Sequence, residues 1–289
     1  MSQLKKWFVY LAFIISTMVF LIYYLFPSEF VKRYIIFKVN QINPDLEVSI
    51  GKVFPTFPPG LRLDTVSFDY TGNRMFKAEE MRLVPRLASL LRTRRILFFN
   101  LNAHSGSAIG TAYLIAKNQP GQFDMEAKIS GMQLADLPAI QNQTAIKLSG
   151  VLGMEISYQT RPETGHTMRA RIEILDIALQ SENLILNQEL LTFERIEADV
   201  FMRDGRIGLE SCNFRGDQFD ATLSGFGVLK NPINKSTIEL SGRLSPHSLV
   251  LTQQDGSLPS AILNALKSES DDLTISIRGL IENPSFSFE

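Results

Sequence analysis

The stretch IKLSGVLGMEISYQ, residues 146–159, alternates apolar and polar side chains. Its even positions are apolar except at Gly150, and its odd positions include Lys147 and Glu155. Successive side chains of a β-strand point to opposite faces, so this pattern predicts extended structure with one dry face and one wet face. The glycines within it leave open whether it is one strand or two strands that meet there.

The same alternation recurs along most of the chain. It is found in residues 123–129, 168–174, 196–209 and 273–277. Asp204-Gly205, inside the third of these segments, is a strong signal for a two-residue hairpin turn. The chain is therefore predicted to be mainly β, with antiparallel one-sided strands and no linker that divides it.

The N-terminus carries an uncharged apolar run, WFVYLAFIISTMVFLIYYLF, at residues 7–26. A helix of that length spans about 30 Å, the thickness of the hydrocarbon core of a bilayer. Trp7 and Tyr10 lie near one end and Tyr23 and Tyr24 near the other, where aromatic side chains meet the membrane interfaces. We therefore predict a transmembrane segment.

The flanks of this run favour an uncleaved signal anchor. Its apolar stretch is too long for a typical signal peptide, and no A-x-A-like cleavage site follows it. Lys5 and Lys6 precede it and favour a cytoplasmic N-terminus, although three basic residues also follow it. We expect residues 1–27 to form a short tail and the anchor, and residues 28–289 to form one extramembrane domain.

Helical patterns are few and short. Besides the anchor, leucine spacing predicts helices of about three turns or fewer in PRLASLLRTRR (85–95), MQLADLPAIQN (132–142) and LPSAILNALKSES (258–270). A further helix is predicted over residues 27–40, just outside the membrane, with Phe30, Tyr34 and Phe37 on one side.

Composition and side-chain spacing argue against several classes of function. The 289 residues carry a net charge of -1, which gives no reason to expect nucleic acid as a partner. The single cysteine, Cys212, and three separated histidines (His104, His166 and His247) match no metal-ligand spacing. HSGSAIG (104–110) lacks the spacing of a nucleophile elbow. We expect no enzyme activity and no cofactor.

Four longer stretches carry a family resemblance. FPTFPPGLRLDTVSF (54–68) resembles the opening strand segment of AsmA-like proteins, and LVPRLASLLRTRRILFFNLNAHSGSAIG (83–110) resembles the strands and Gly-rich turn that follow it. Residues 132–158 and the tail IRGLIENPSFSFE (277–289) are similar to the type II secretion system protein N family, in its long bacterial form. Most of these motifs are strand endings, and the resemblance covers nearly the whole chain.

This resemblance implies a protein of the bacterial inner membrane, with one transmembrane helix and a periplasmic domain. The domain would be an elongated, bent antiparallel β-sheet that forms an AsmA-like groove, with a few short helices. The implied function is a non-enzymatic accessory or assembly component of the type II secretion system that contacts other secretion-system proteins. The alternative that the same resemblance supports is binding or transfer of phospholipid in the groove.

The alternation itself offers candidate groove residues. The apolar positions that would line a groove are Ile146, Leu148, Leu152, Met154, Ile156, Ile172 and Ile174. These side chains would pack against a second layer in a closed sandwich or line an open trough, and both arrangements require the same alternation.

A second candidate contact is a run of arginines interleaved with leucines. Its members are Arg82, Arg86, Arg92, Arg94 and Arg95. An amphipathic basic segment that follows a membrane anchor is a candidate for contact with anionic headgroups or with a partner, and a solvated connector helix is the simpler alternative.

Glycine ends a short run of alternating apolar and polar residues at five places, namely Gly131, Gly150, Gly225, Gly242 and Gly279. Their spacing is uneven, so they do not mark a repeat. Glycine permits a bulge, a bend or a positive φ, and we expect these positions to be corners of a bent sheet.

Overall fold

The chain folds, in a computed structural model, as two helices followed by one sheet. The residues that the structure describes are 3–42, 46–70, 73–103, 106–115, 123–137, 146–161, 165–185, 188–203, 205–217, 219–230, 235–247, 273–281 and 283–288. The helices are α1 (Gln3–Tyr24) and α2 (Ser28–Ile42). The strands are β1 (Leu46–Thr56), β2 (Gly60–Tyr70), β3 (Asn73–Pro85), β4 (Arg94–Ala103), β5 (Gly106–Ile115), β6 (Phe123–Gln133), β7 (Ile146–Arg161), β8 (Gly165–Ile185), β9 (Gln188–Arg203), β10 (Arg206–Gly216), β11 (Phe219–Val228), β12 (Thr237–Pro246), β13 (Leu273–Leu280) and β14 (Asn283–Phe288).

The strand order equals the chain order. All fourteen strands form a single antiparallel sheet in which each strand pairs with the one before it and the one after it. Strands lie about 4.8 Å apart, so the sheet is about 60 Å long across its strands. The predicted mainly β, antiparallel fold is confirmed, and so is the hairpin at Gly205, which joins β9 to β10 with a φ of 77°.

Two of the five glycine positions interrupt the register, and none of the five ends a strand. The β6–β7 register shifts between Ile129 and Met132, around Gly131 (φ 70°), and the β7–β8 register shifts at Gly150 (φ 146°). The stretch at residues 146–159 is therefore one strand with a bulge. The chain also continues as strand through Gly225, Gly242 and Gly279.

Two other residues lie in the left-handed region without being glycine, and each changes which positions face the core. Thr65 has a φ of 56° in β2, and Asp176 has a φ of 52° in β8. On either side of Thr65, the buried positions Leu63 and Val66 are three residues apart instead of two. A residue in the left-handed region shifts the alternation of side chains by one position. The apolar side chains therefore lie on the same face of the sheet before and after Thr65.

Helix α2 lies against the first strands. The predicted helix over 27–40 is confirmed as Ser28–Ile42. Val31, Ile35 and Ile36 pack on the buried cluster that includes Ile50 and Val53 of β1. Phe30, Tyr34 and Phe37, which the sequence predicts to share one side of this helix, lie on the opposite side and are exposed.

The other predicted helices are shorter or absent where the structure describes them. The prediction of a helix over 85–95 is wrong: β3 continues to Pro85 and β4 begins at Arg94, which leaves room for a 3-10 turn at Leu87–Ser89. Within 132–142 the described part holds a 3-10 turn at Leu134–Asp136. Residues 258–270 lie outside the described residues.

Gly242 offers a test of the close packing of β11 on β12. A Cβ at Gly242 would lie 1.7 Å from the carbonyl oxygen of Thr222, so Gly242→Ala must push the two strands apart. We expect it to lower the free energy of unfolding by about 1–3 kcal/mol, the usual cost of overpacking. The measurement is the urea midpoint of the detergent-solubilised chain.

The control for this variant is Gly153→Ala. A Cβ at Gly153 would have its nearest neighbour at 3.8 Å, the carbonyl oxygen of Glu173. This substitution should leave stability unchanged or raise it by about 0.4–1 kcal/mol through the unfolded state. Equal midpoints for the two variants would contradict the strand spacing described for β11 and β12.

Candidate functional site: the apolar face

One face of the sheet carries an unbroken row of apolar residues from the first strand to the last. Each residue of this central row is the direct cross-strand partner of the next. The row is Val53, Leu63, Met81, Leu101, Ala108, Ile129, Met154, Ile172, Ala198, Cys212, Leu223, Gly242, Ile275 and Phe288.

A second complete row runs beside it, two residues away on each strand except β10, where a register shift separates Leu209 from Cys212 by three residues. It consists of Pro55, Leu61, Leu83, Phe99, Gly110, Ala127, Ile156, Ala170, Val200, Leu209, Gly225, Leu240, Ile277 and Phe286. Several of its members are small, and the ring of Phe99 lies over Gly110. No charged or hydrogen-bonding side chain belongs to either row.

A third row on the same face runs from β6 to β13. Its members are Met132, Leu152, Ile174, Ile196, Phe214, Ala221, Leu244 and Leu273. Side chains two residues apart on a strand are about 7 Å apart, so the three rows cover a band about 14 Å wide. We call this band the apolar face.

The structure brings together six of the seven predicted groove residues. Met154 pairs with Ile172 in the central row, and Leu152 pairs with Ile174 in the third row. These four and Leu148 pack with Met132 and Leu134 in one cluster, and Ile156 lies in the second row. Ile146 begins β7, and its side chain lies outside what the structure describes.

Little covers this face within the described part of the chain. Apart from neighbouring strands, the principal contacts between its elements are those of α2 with β1, the turn at Leu134–Asp136 with β7, and the turn at Leu87–Ser89 with β4. None of these elements is a second sheet. Many residues of the three rows, among them Met154, Ile156 and Ile172, are half-buried. Others, such as Leu63 and Cys212, are buried, so the described elements form a one-layer sheet whose apolar side is only partly accessible.

The opposite face is polar and carries ion pairs across the strands. Lys128 and Glu155 form an ion pair at 2.8 Å, and Arg171 and Asp199 form one at 3.2 Å. The Lys128 ammonium donates a hydrogen bond to Glu155, which raises the pKa of Lys128 and lowers that of Glu155. An open depression of about 860 Å³ lies on this side over β4 to β10, and its lining combines charged side chains with the apolar Phe98, Ile109 and Phe201. Solvated, mutually paired charges of this kind suit a water-facing surface.

The four aromatic residues predicted to lie near the membrane interfaces, Trp7, Tyr10, Tyr23 and Tyr24, belong to α1. The span Lys6–Tyr24 is long and apolar enough to cross a membrane. Trp7, Tyr10 and Tyr24 are exposed, whereas the half-buried Tyr23 donates a hydrogen bond to the carbonyl oxygen of Thr56, at 2.5 Å. The end of α1 thus touches the end of β1.

The five arginines do not form one helical surface. Arg82 belongs to β3 and pairs with Glu80, while Arg94 belongs to β4, pairs with Asp124 at 3.4 Å and lies over the ring of Tyr113. The remaining three are exposed: Arg86 and Arg92 lie in the connection between β3 and β4, and Arg95 lies at the start of β4.

The described histidines are isolated from one another. His166 contacts the hydroxyl of Tyr158 through Nδ1 at 2.7 Å, and His247 lies 3.4 Å from a carboxylate oxygen of Asp220. His104 lies outside the described residues. Among the residues that the structure describes, no group of three His, Cys, Asp or Glu side chains could hold a metal ion.

Sequence reasoning missed an aromatic cluster and the small residues of the second row. Phe193 packs edge-on against Phe214 and Phe219, with centroid distances of 5.7 and 5.6 Å. The three phenylalanines come from three successive strands, so only the cross-strand register brings them together. Ala127 and Ala170 flank Ile156 in the same way.

Comparison with known proteins yields no match. No family model, no curated protein and no solved structure matches this chain. The resemblance to AsmA-like and secretion-system proteins therefore remains a prediction from sequence.

Cys212 provides a chemical test of the central row. It is buried between Ala198 and Leu223, and burial raises the pKa of its thiol to about 11. Only the thiolate reacts with alkylating reagents, so we expect slow modification of the folded chain at neutral pH and fast modification in urea. The alkylation rate of the folded chain should still rise with pH beyond 9, the ordinary thiol value. Rapid modification of the folded chain at neutral pH would contradict this placement.

Proposed function

We propose that this chain is a single-pass protein of a bacterial inner membrane whose periplasmic sheet binds the acyl chains of phospholipids along its apolar face. The observation that carries the proposal is the pair of complete apolar rows across fourteen strands, with no second sheet over them in the described part of the chain. The proposed role is non-enzymatic.

The size of the face supports a bound apolar ligand. Two rows run about 60 Å across the sheet, and the third row widens the band to about 14 Å from β6 to β13. Exposed apolar patches on soluble monomers rarely exceed a few hundred Å². Each methylene group that an acyl chain buries on such a surface contributes about 0.8 kcal/mol. An extended acyl chain fits a continuous row because no polar side chain interrupts it.

The proposal includes α1 as a retained anchor. The hydrogen bond from Tyr23 to Thr56 and the packing of α2 on β1 join the N-terminal segment to the sheet. A cleavage that removed α1 would also remove the Tyr23 contact. Lys5 and Lys6 before α1 favour a cytoplasmic N-terminus, which puts the sheet in the periplasm.

A charge on the apolar face tests lipid binding. Ile156 lies in the second row between Ala127 and Ala170, so Ile156→Glu puts a carboxylate where acyl chains would lie. Desolvating that carboxylate costs several kcal/mol. We expect the purified full-length variant to retain at least tenfold less phospholipid on this face, since a loss of about 1.4 kcal/mol already corresponds to tenfold in binding. Mass spectrometry of the extracted lipids is the measurement.

Ser157→Glu is the matched control for this experiment. Ser157 is the next residue of β7, but it points to the polar face between Glu126 and Arg169. Both variants keep α1 and the lipids around it, so the difference between them reports on the apolar face alone. Equal phospholipid content in the two variants, with β-sheet circular dichroism retained in both, would overturn the proposal.

A role in type II secretion is the second candidate, and one observation favours it. Among the described strands β14 pairs with β13 alone, so its outer edge presents unpaired backbone groups. Such an edge can accept a strand from a partner protein. An accessory component that contacts other secretion-system proteins would have its docking edge there.

A gene deletion separates the two candidates. If the chain acts through protein contacts, the deletion strain should export less of its type II substrates. Complementation with the Ile156→Glu chain should then restore export, because that variant leaves β14 intact. Normal export in the deletion strain would remove the secretion role. If the wild-type chain restores export but the Ile156→Glu chain does not, the secretion role depends on the apolar face instead.

A further inference from the structure

The end of the sheet beside α1 carries a second surface suited to a membrane. Tyr23, at the end of α1, contacts Thr56 at the end of β1. Pro55, Leu61 and Leu83 are direct neighbours across β1, β2 and β3, so the end of β3 lies about 10 Å from the end of β1. The β3–β4 loop, residues 86–93, extends from that end.

This loop exposes apolar side chains. Leu91 is 97 % exposed, and Leu87 and Leu90 are about half exposed. Phe57, in the neighbouring turn between β1 and β2, is 86 % exposed. A group of exposed leucines beside an exposed phenylalanine marks an interaction surface rather than an ordinary solvated loop.

The loop is held in a fixed shape, although its leucines point outward. The buried hydroxyl of Ser89 donates a hydrogen bond to the carbonyl oxygen of Arg86 at 2.6 Å and accepts one from the backbone of Ile96 at 2.9 Å. The backbone of Arg86 also donates to the carbonyl of Ile96. The exposed leucines therefore result from a defined turn.

Three arginines surround these leucines. Arg86, Arg92 and Arg95 are exposed, and no carboxylate of the described chain forms a salt bridge with them. Arg95 lies two residues before Leu97 on the same side of β4. Arg95 therefore belongs to the apolar face, at the end of the sheet beside α1. This separates the group from the paired Arg82 and Arg94.

We propose that this rim patch, made up of Leu87, Leu90, Leu91, Arg86, Arg92 and Arg95, binds the anionic surface of the bilayer that α1 crosses. The leucines insert between lipids, and the arginines pair with headgroup phosphates. The bilayer is the occupant because the contact of Tyr23 with Thr56 holds this end of the sheet at the depth where α1 leaves the membrane. The proposal depends on the proposed function only for the retention of α1.

The energetics suit a second attachment of this kind. Basic side chains are attracted to an anionic membrane surface, and inserted leucines add apolar burial. The contact would orient the sheet so that the end of the apolar face that carries Arg95 opens onto the lipid headgroups.

Membrane-depth fluorescence tests the patch in the full-length chain. The Leu91→Cys variant, in a Cys212→Ala background, is labelled with an environment-sensitive dye and reconstituted into phosphatidylcholine vesicles with and without phosphatidylglycerol. We expect a shift to shorter wavelength and quenching by nitroxide-labelled lipids, both stronger in the anionic vesicles. Replacing Arg86, Arg92 and Arg95 by Gln should reduce the effect to its level in neutral vesicles.

Thr222→Cys is the matched control, because Thr222 is exposed on the polar face of β11. Its label should remain unquenched in both vesicle types. A Leu91 label that behaves like the Thr222 label would overturn the proposal and would show a surface free for a protein partner. Quenching that is equal in neutral and anionic vesicles, and is unchanged when the arginines are replaced, would overturn the role of the arginines. Neither result depends on whether phospholipid occupies the apolar face.

Discussion

The cross-strand register is the constraint on which the rest of this structure depends. Side chains alternate with a period of two, so a slip of one residue at any hairpin would move a whole strand's apolar set to the water side. The register holds through fourteen strands, so that Val53 at one end and Phe288 at the other belong to the same row. The bulges at Gly131 and Gly150 and the left-handed Thr65 and Asp176 are among the local departures that accompany this continuity, together with register shifts in β2 and β10.

The sequence predicts the strands better than it predicts how they meet. Alternation identified β7 and its partners, and it marked Met154, Ile156 and Ile172 as one face, because period two is a local property. The left-handed Thr65 has no comparable signal, since threonine rarely adopts that conformation. The helix predicted at residues 85–95 was wrong because three loop leucines mimic helical spacing, while Pro85 and Arg94 belong to strands. Small residues such as Ala127 and Gly110 carry weak patterns, and only pairing shows that they adjoin Ile156 or Phe99.

The two faces of the sheet contribute unequally to stability. Exposed pairs such as Lys128 with Glu155 contribute little to stability and keep that side in water. The apolar face must both hold the sheet together and, in the proposed function, receive acyl chains. Val53 and Leu101 of the central row are buried in the cluster that α2 contacts, and Leu152 of the third row is buried beside Met132, whereas Ile156 of the second row is half-buried. Stability and binding are thus concentrated at different positions of one surface.

The sequential strand order has a consequence for how such a protein can form and change. Each strand depends only on its immediate neighbours in the chain, so long-range loop closure is avoided and pairing can proceed one hairpin at a time. A chain held by its N-terminal helix can add strands in the order in which they emerge. For the same reason, gain or loss of an internal hairpin with matching alternation would alter the length of the sheet without rearranging the remaining strands, as in proteins built from repeats. Length is therefore a property that this architecture can vary independently of its cross-section.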